Sequence, residues 1–172
     1  MGRITRVENP IAAFGLLWAL LVSRAAGAGE AGTPAPDFEL PSLLEPSQTL
    51  ALADFRGQVV YLDFWASWCG PCRRSFPVLE QLYADFADQG FTVLAVNVDE
   101  ETELALDFLE RYPVTYPLLL DPEGNTPGLY AIKGMPTAFL IDREGVVQHV
   151  HEGFKKSDGE AMRQTIEQML AN

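Results

Sequence analysis

The sequence predicts an α/β domain in which a mixed β-sheet is covered on both faces. Two observations carry this prediction. An apolar segment at 59–64, a helical pattern at 70–88 and a second apolar segment at 91–98 form a βαβ unit. Two further apolar segments, 137–141 and 146–150, then predict a hairpin that is followed by a final helix. A βαβ unit followed by a hairpin and a helix gives a mixed sheet with helices packed against it.

The elements of the βαβ unit are each predicted from residue type and spacing. The first strand is rich in β-branched and aromatic residues from Val59 onward, which is typical of a buried strand. The helix after it places apolar residues on one face, namely Phe76, Leu79, Tyr83 and Phe86. The strand from Phe91 to Val98 completes the unit.

The remaining elements are shorter. Segments 38–40 and 49–52 predict a small N-terminal hairpin, and 116–120 predicts a short strand that a turn at 121–125 closes. A second amphipathic helix has as its apolar residues Leu104, Ala105, Phe108, Leu109 and Tyr112. The final helix is predicted to begin at Ser157, with Glu160 completing a capping box.

Composition limits the classes of protein that fit. The chain has 172 residues, of which 48% are hydrophobic, so it has enough apolar material for the core of one domain. The net charge is −12, and the chain lacks the basic clusters that bind nucleic acid. We therefore expect no nucleic-acid partner.

The first 28 residues have the pattern of a signal peptide. Arg3 and Arg6 precede an apolar run at 11–22, and Ala26-Gly27-Ala28 supplies a small-x-small cleavage site. About a dozen apolar residues are fewer than the roughly 20 that span a bilayer. We expect cleavage after Ala28, with an uncleaved membrane anchor as the alternative. Residues 29–36 are then a linker, and 37–172 form the folded domain.

The chemistry is predicted by Cys69 and Cys72, the only two cysteines. They lie two residues apart where the first strand gives way to the first helix. The N-terminus of a helix favours thiolate over thiol, because unsatisfied N–H groups and the positive end of the dipole lie there. A thiolate attacks disulfides, and a second nearby thiol resolves the mixed disulfide. The pair therefore predicts thiol-disulfide exchange.

Other uses of the pair are less well supported. A structural zinc site needs two more ligands, and His149 and His151 do not have the spacing of a zinc finger. A copper metallochaperone that uses the cysteines and a histidine stays open as an alternative. A purely structural disulfide is disfavoured because so short a loop restrains little of the unfolded chain. A peroxidase is disfavoured because there is no Thr-x-x-Cys motif.

Four motifs resemble the thioredoxin superfamily, and within it the exported TlpA-like group that includes cytochrome c maturation reductants. They begin at Ala35 (APDF), Asp63 (DFWASWCGPC), Val96 (VNVDE) and Gly134 (GMPT). The resemblance covers roughly residues 34–170. It implies a thioredoxin-like fold with an N-terminal β-hairpin and a helix and strand inserted at 99–130.

The resemblance also implies roles for individual residues. Cys69 is the exposed attacking thiolate and Cys72 the more buried resolving thiol. Asp63 is the buried acid that exchanges a proton with the second thiol, and burial raises its pKa toward neutrality. The expected substrate-binding residues are Trp68, Gly70, Pro71, Met135 and Pro136. Pro136 matches a cis-proline beside which a substrate segment binds as an added strand.

Two further expectations follow from the resemblance. Glu100 is a candidate for tuning the pKa of the cysteine pair, with a plain surface carboxylate as the equal alternative. Gly70-Pro71 between the cysteines resembles reducing members of the superfamily.

We therefore expect a reductant of protein disulfides, in the periplasm, either soluble or anchored. It would use no metal or cofactor besides its own cysteine pair, and a membrane-embedded electron donor would supply it. An oxidant that inserts disulfides is the alternative, because Arg73 and Arg74 could lower the thiol pKa.

Overall fold

A computed structural model describes Gly2 and residues 29–171 of the chain. The predicted signal peptide thus lies almost wholly outside the described residues. The described part contains seven strands: β1 (Glu39–Pro41), β2 (Thr49–Ala51), β3 (Val59–Trp65), β4 (Phe91–Asn97), β5 (Leu118–Leu120), β6 (Thr137–Ile141) and β7 (Val147–Glu152). It contains four α-helices: α1 (Cys72–Phe86), α2 (Thr102–Arg111), α3 (Asn125–Leu129) and α4 (Asp158–Leu170).

Five strands form one mixed sheet in the order β5-β4-β3-β6-β7. β3, β4, β5 and β7 run in the same direction, and β6 runs antiparallel to its neighbours β3 and β7. The separate β1–β2 hairpin is the predicted N-terminal hairpin. The predicted mixed sheet, the flanking helices and the hairpin are confirmed.

The sheet is buried on both faces because alternate residues of its central strand enter different cores. Tyr61 and Trp65 of β3 pack with apolar residues of α1, α2 and α4. Leu62 and Phe64 point to the opposite face. That second core is covered by the hairpin, by a 3₁₀ helix at Leu52–Phe55 and by Tyr130 after α3.

Residues 29–36, predicted as a linker, lie against the domain. The N–H of Gly32 donates to the carbonyl of Val147 at 2.7 Å, and the N–H of Val147 donates to the carbonyl of Thr33 at 2.9 Å. These bonds lie beside the first residues of β7. At the other edge of the sheet, the N–H of Leu43 donates to the carbonyl of Leu118 in β5 at 2.9 Å. The N-terminal part of the domain therefore pairs with β5 at one edge of the sheet and with the first residue of β7 at the other.

One local prediction was wrong: α4 begins directly after Ser157, in agreement with the predicted start, but the capping box does not form. Ser157 has helical dihedrals, φ −70° and ψ −16°, and its hydroxyl does not cap α4. The hydroxyl donates to Asp158 at 3.3 Å, and the Asp158 carboxylate accepts the N–H of Lys155 at 2.7 Å. The predicted turn at 121–125 also continues into the short helix α3, which no apolar periodicity indicated.

The described residues form helices of at most 15 residues. None of their helices combines the length and the apolar character that crossing a bilayer requires.

Candidate active site

The two cysteines lie where the central strand ends and α1 begins. After Trp65 the chain turns, and the N–H of Cys69 donates to the carbonyl of Ala66 at 3.0 Å. Cys72 is the first residue of α1, and its N–H donates to the sulfur of Cys69 at 3.3 Å. The helix N-terminus therefore faces the Cys69 sulfur, where it stabilises a thiolate once the pair is reduced.

The structure holds Cys69 and Cys72 as a disulfide. In this oxidised form both residues are buried, and only Cys69 keeps an exposed fraction, 3% against 0% for Cys72. Cys69 is thus the less buried residue of the pair. This order agrees with the roles that the resemblance implies.

The expected substrate-binding residues surround the pair with exposed surface. Trp68 is 65% exposed, Gly70 is exposed and Pro71 is half-buried. The Met135–Pro136 peptide bond is cis, as the resemblance implies. Met135 is half-buried and packs on the core that contains both cysteines. Beside it lies a shallow depression lined by Lys133, Glu152 and Gly153.

Asp63 is buried on the same side of the sheet as the cysteines. Alternation along β3 places it between Tyr61 and Trp65, which belong to the core that contains Cys69 and Cys72. Its strand partners are Ala95 on β4 and Ala138 on β6. Two small apolar neighbours provide neither a positive charge nor a hydrogen-bond donor.

These surroundings explain the protonation of Asp63. The residue is 1% exposed, and its Oδ2 has no hydrogen-bond partner among the described residues. Burial disfavours the charged carboxylate and raises the pKa of Asp63 to about 8. Asp63 is therefore mainly protonated at neutral pH in the oxidised form. It titrates close to physiological pH, as a proton carrier must.

The other candidate residues are Glu100 and the two histidines. Glu100 is exposed, just after β4. His149 is exposed on β7, and Nε2 of His151 lies 3.3 Å from an oxygen of Asp158. β7 is separated from β3 by β6, so the histidines are not adjacent to the central strand. Within residues 29–171, no three His, Cys, Asp or Glu side chains are grouped to hold a metal ion.

Sequence reasoning missed two buried polar residues near the cysteines. The hydroxyl of Ser75, one turn into α1, donates to the carbonyl of Cys72 at 3.1 Å. Asp99 is 2% exposed, although it stands in a run of acidic residues that resembled a surface. The signal that could have found it is the spacing Asn97-x-Asp99 at the end of a buried strand, because alternate residues share one side.

Comparisons with known proteins agree with this geometry. The AhpC/TSA family model matches residues 31–150. The thiol-disulfide oxidoreductase ResA of Geobacillus thermodenitrificans is 38% identical over 122 residues, which cover 71% of this chain and 69% of ResA.

Solved structures of thiol-disulfide exchange proteins are also similar to this chain. A Chlorobium tepidum protein, provisionally described as a thiol:disulfide interchange protein DsbE, is 50% identical with a TM-score of 0.78. The match covers 82% of this chain and 98% of that one. A secreted thiol-disulfide isomerase from Corynebacterium glutamicum is 27% identical with a TM-score of 0.70, over 80% of this chain and 85% of that one.

A thioredoxin-like sheet with a C-x-x-C pair at the start of its first long helix defines a thiol-disulfide oxidoreductase. The similarity to ResA and to the DsbE-like protein supports this class at the level of sequence and of structure. The chain belongs to the AhpC/TSA family, and its relatives match the TlpA-like group of the thioredoxin superfamily that its motifs indicate.

Proposed function

We propose that this oxidoreductase reduces disulfides in proteins outside the cytoplasm, for example during cytochrome c maturation. The observation that carries the proposal is the placement of Cys69 and Cys72. The Cys69 sulfur accepts an N–H at the start of α1, and Cys69 is the less buried residue of the pair, 3% exposed against 0% for Cys72. This asymmetry suits a pair in which one thiol attacks a substrate and the other releases it.

The reaction begins with the reduced pair. The Cys69 thiolate attacks one sulfur of a substrate disulfide, and a Cys69–substrate disulfide forms while the first substrate thiolate leaves. The Cys72 thiol gives up its proton, for which Asp63 is the acceptor, and attacks the Cys69 sulfur. The second substrate thiolate leaves and the Cys69–Cys72 disulfide closes. Two electrons pass to the substrate, and its two thiolates take up two protons: the Cys72 proton, passed on by Asp63, and one from solvent, which replaces the proton that Cys69 released on forming its thiolate.

Substrate binding uses the surface around Met135. No described residue hydrogen-bonds to the backbone of Met135, so its N–H and carbonyl are available to an extended substrate segment. Such a segment would lie across the exposed ring of Trp68 and bring its disulfide to Cys69. The partners are therefore protein disulfides, with a membrane-embedded donor that returns electrons to the oxidised pair. No metal or other cofactor enters the reaction.

The direction of the reaction is tested by the reduction potential. Full-length protein is equilibrated with glutathione buffers of known ratio, and the fractions of dithiol and disulfide are measured. We expect a value near or below about −250 mV, on the thioredoxin side of the scale. A value near about −120 mV would instead indicate an oxidant that inserts disulfides.

The extracytoplasmic location is supported by the sequence pattern of residues 1–28 and by the secreted relative. We expect a full-length fusion to alkaline phosphatase, an enzyme active only after export, to be active in bacterial cells. The same fusion without residues 1–28 is the control. Equal activity of the two fusions would contradict export through this segment.

A further inference from the structure

A buried hydrogen-bond cluster holds the turn that precedes Cys69. The Asp99 carboxylate accepts the N–H of Ser67 at 2.8 Å and the hydroxyl of Ser67 at 3.0 Å. It also accepts the side-chain amide of Asn97 at 2.8 Å. Asn97 is 0% exposed, and its amide oxygen accepts the N–H of Asp99 at 3.1 Å. We call the contact between Asp99 and Ser67 the Asp99–Ser67 clamp.

The clamp acts on the segment that carries the attacking sulfur. Ser67 is two residues before Cys69, a chain distance of at most about 7 Å. The turn bond from Cys69 to Ala66 encloses Ser67. A hydrogen bond from Val98 to the carbonyl of Trp65, at 3.1 Å, fixes the start of the same turn to the end of β4. Asp99 therefore joins the end of β4 to the middle of the active-site turn.

Burying an acid costs free energy unless hydrogen bonds compensate. Both oxygens of Asp99 have donors, so this position is built to receive a side chain with two acceptor atoms. Glu100, the neighbouring residue, is exposed. Of these two acids, Asp99 is the one attached to the active-site turn.

The clamp matters most when the cysteines are reduced. In the oxidised form the disulfide itself fixes Cys69 to Cys72. When that bond is broken, Cys69 is held by the turn bond and the clamp. We propose that Asp99 is a positioning residue that, through Ser67, keeps the Cys69 thiol within reach of Cys72. This inference rests on the proposed dithiol function and adds a residue to it.

The expected consequence of losing the clamp is a less reducing pair. A mobile Cys69 has a lower effective concentration opposite Cys72, so the disulfide closes less favourably. For Asp99→Ala we expect the equilibrium constant for disulfide formation against glutathione to fall on the order of tenfold, or about 30 mV toward less negative potential. A purely structural residue would lower the melting temperature without this change.

Two variants serve as controls. Asp99→Asn keeps the clamp, because the amide oxygen can accept both N–H groups while its NH₂ donates to the Ser67 hydroxyl. We expect its potential to stay close to that of the wild type. Asp121→Ala removes another buried carboxylate, which is 3% exposed and accepts the N–H groups of Asn125 and Thr126 at the start of α3. We expect lower stability and an unchanged potential.

Several results would overturn the proposal. One is an Asp99→Ala protein with the wild-type potential and only the loss of stability seen for Asp121→Ala. Another is an equal shift in Asp99→Ala and Asp99→Asn, which would assign the effect to the charge of the acid. If Asp99→Ala does not fold, Ser67→Ala removes the hydroxyl contact alone. A smaller shift in the same direction, about two- to threefold, is then expected, and no shift would count against the clamp.

The experiment separates this proposal from the proposed function. A wild-type potential on the oxidant side would contradict the reducing direction. The comparison between the variants would still report whether Asp99 positions Cys69.

Discussion

Replacing Cys69 with serine is expected to abolish disulfide exchange, with a loss of at least about a thousandfold in the rate. A serine hydroxyl is not nucleophilic enough to attack a disulfide at neutral pH, and the remaining Cys72 is 0% exposed in the folded chain. Replacing Cys72 should have a different effect. Cys69 can still attack, but nothing resolves the product, so Cys72→Ser should accumulate a mixed disulfide.

The measurement is the mass of each variant after incubation with oxidised glutathione. We expect one glutathione per chain on Cys72→Ser and almost none on Cys69→Ser. The two variants are matched controls for each other, because both lose the same intramolecular disulfide. If glutathione instead accumulates on Cys69→Ser, the attacking and resolving roles are reversed.

The second large effect is expected from Asp63→Asn, through the dependence of stability on pH. The folded pKa of Asp63 is raised from the usual 3.8 to about 8 by burial. Below about pH 4 the carboxyl is protonated in the folded and unfolded states, so the raised pKa has no effect on stability. Between about pH 4 and pH 8 the unfolded state loses the proton and the folded state keeps it. The wild type should therefore lose stability as pH rises, by up to about 1.4 kcal/mol per unit from this group.

Asp63→Asn removes this loss because asparagine does not titrate. We expect the oxidised variant to gain stability relative to the wild type across this range, by about 5 kcal/mol at the upper limit. Urea unfolding at pH 4, 6 and 8 gives the free energies of unfolding. Asp107→Asn, on the exposed surface of α2, is the matched control. A difference between Asp63→Asn and wild type that is constant with pH would contradict the raised pKa.

The same titration connects stability to catalysis. An acid that is always charged or always neutral cannot both accept and return a proton, whereas one with a pKa near 8 can do both near neutral pH. Asp63 thus lowers the stability of the fold at the pH where the proposed reaction uses it for proton transfer. The alanines on both sides of it leave this unfavourable burial uncompensated.

The central elements were predictable because residue type and spacing both indicate them. The continuous apolar residues of β3 and the helical spacing after Cys72 leave few alternatives, and they position the cysteine pair. The burial of Asp63 also follows from its place in the middle of an apolar strand. Its raised pKa depends in addition on Ala95 and Ala138, which become neighbours only when the register of the sheet is known.

The features that were not predicted depend on particular side-chain contacts. α3 contains Pro127 and Gly128, which are poor helix formers, and the Asp121 carboxylate accepts the N–H groups at its start. The capping box of α4 does not form because the Ser157 hydroxyl donates to Asp158, whose carboxylate accepts the N–H of Lys155 before the helix. The role of Asp99 was not predicted because its partner Ser67 lies 32 residues away in sequence.

The pairing of the N-terminal part of the domain with both edge strands of the sheet has a consequence for assembly between molecules. Residues 32–35 pair beside the start of β7, and Ser42 and Leu43 lie along β5. An unpaired strand edge presents free N–H and carbonyl groups on which another chain can add a strand. Residues 29–43 occupy such groups along β5 and at the first residue of β7. A shortened chain without them is therefore expected to expose the β5 edge to strand addition and to self-associate.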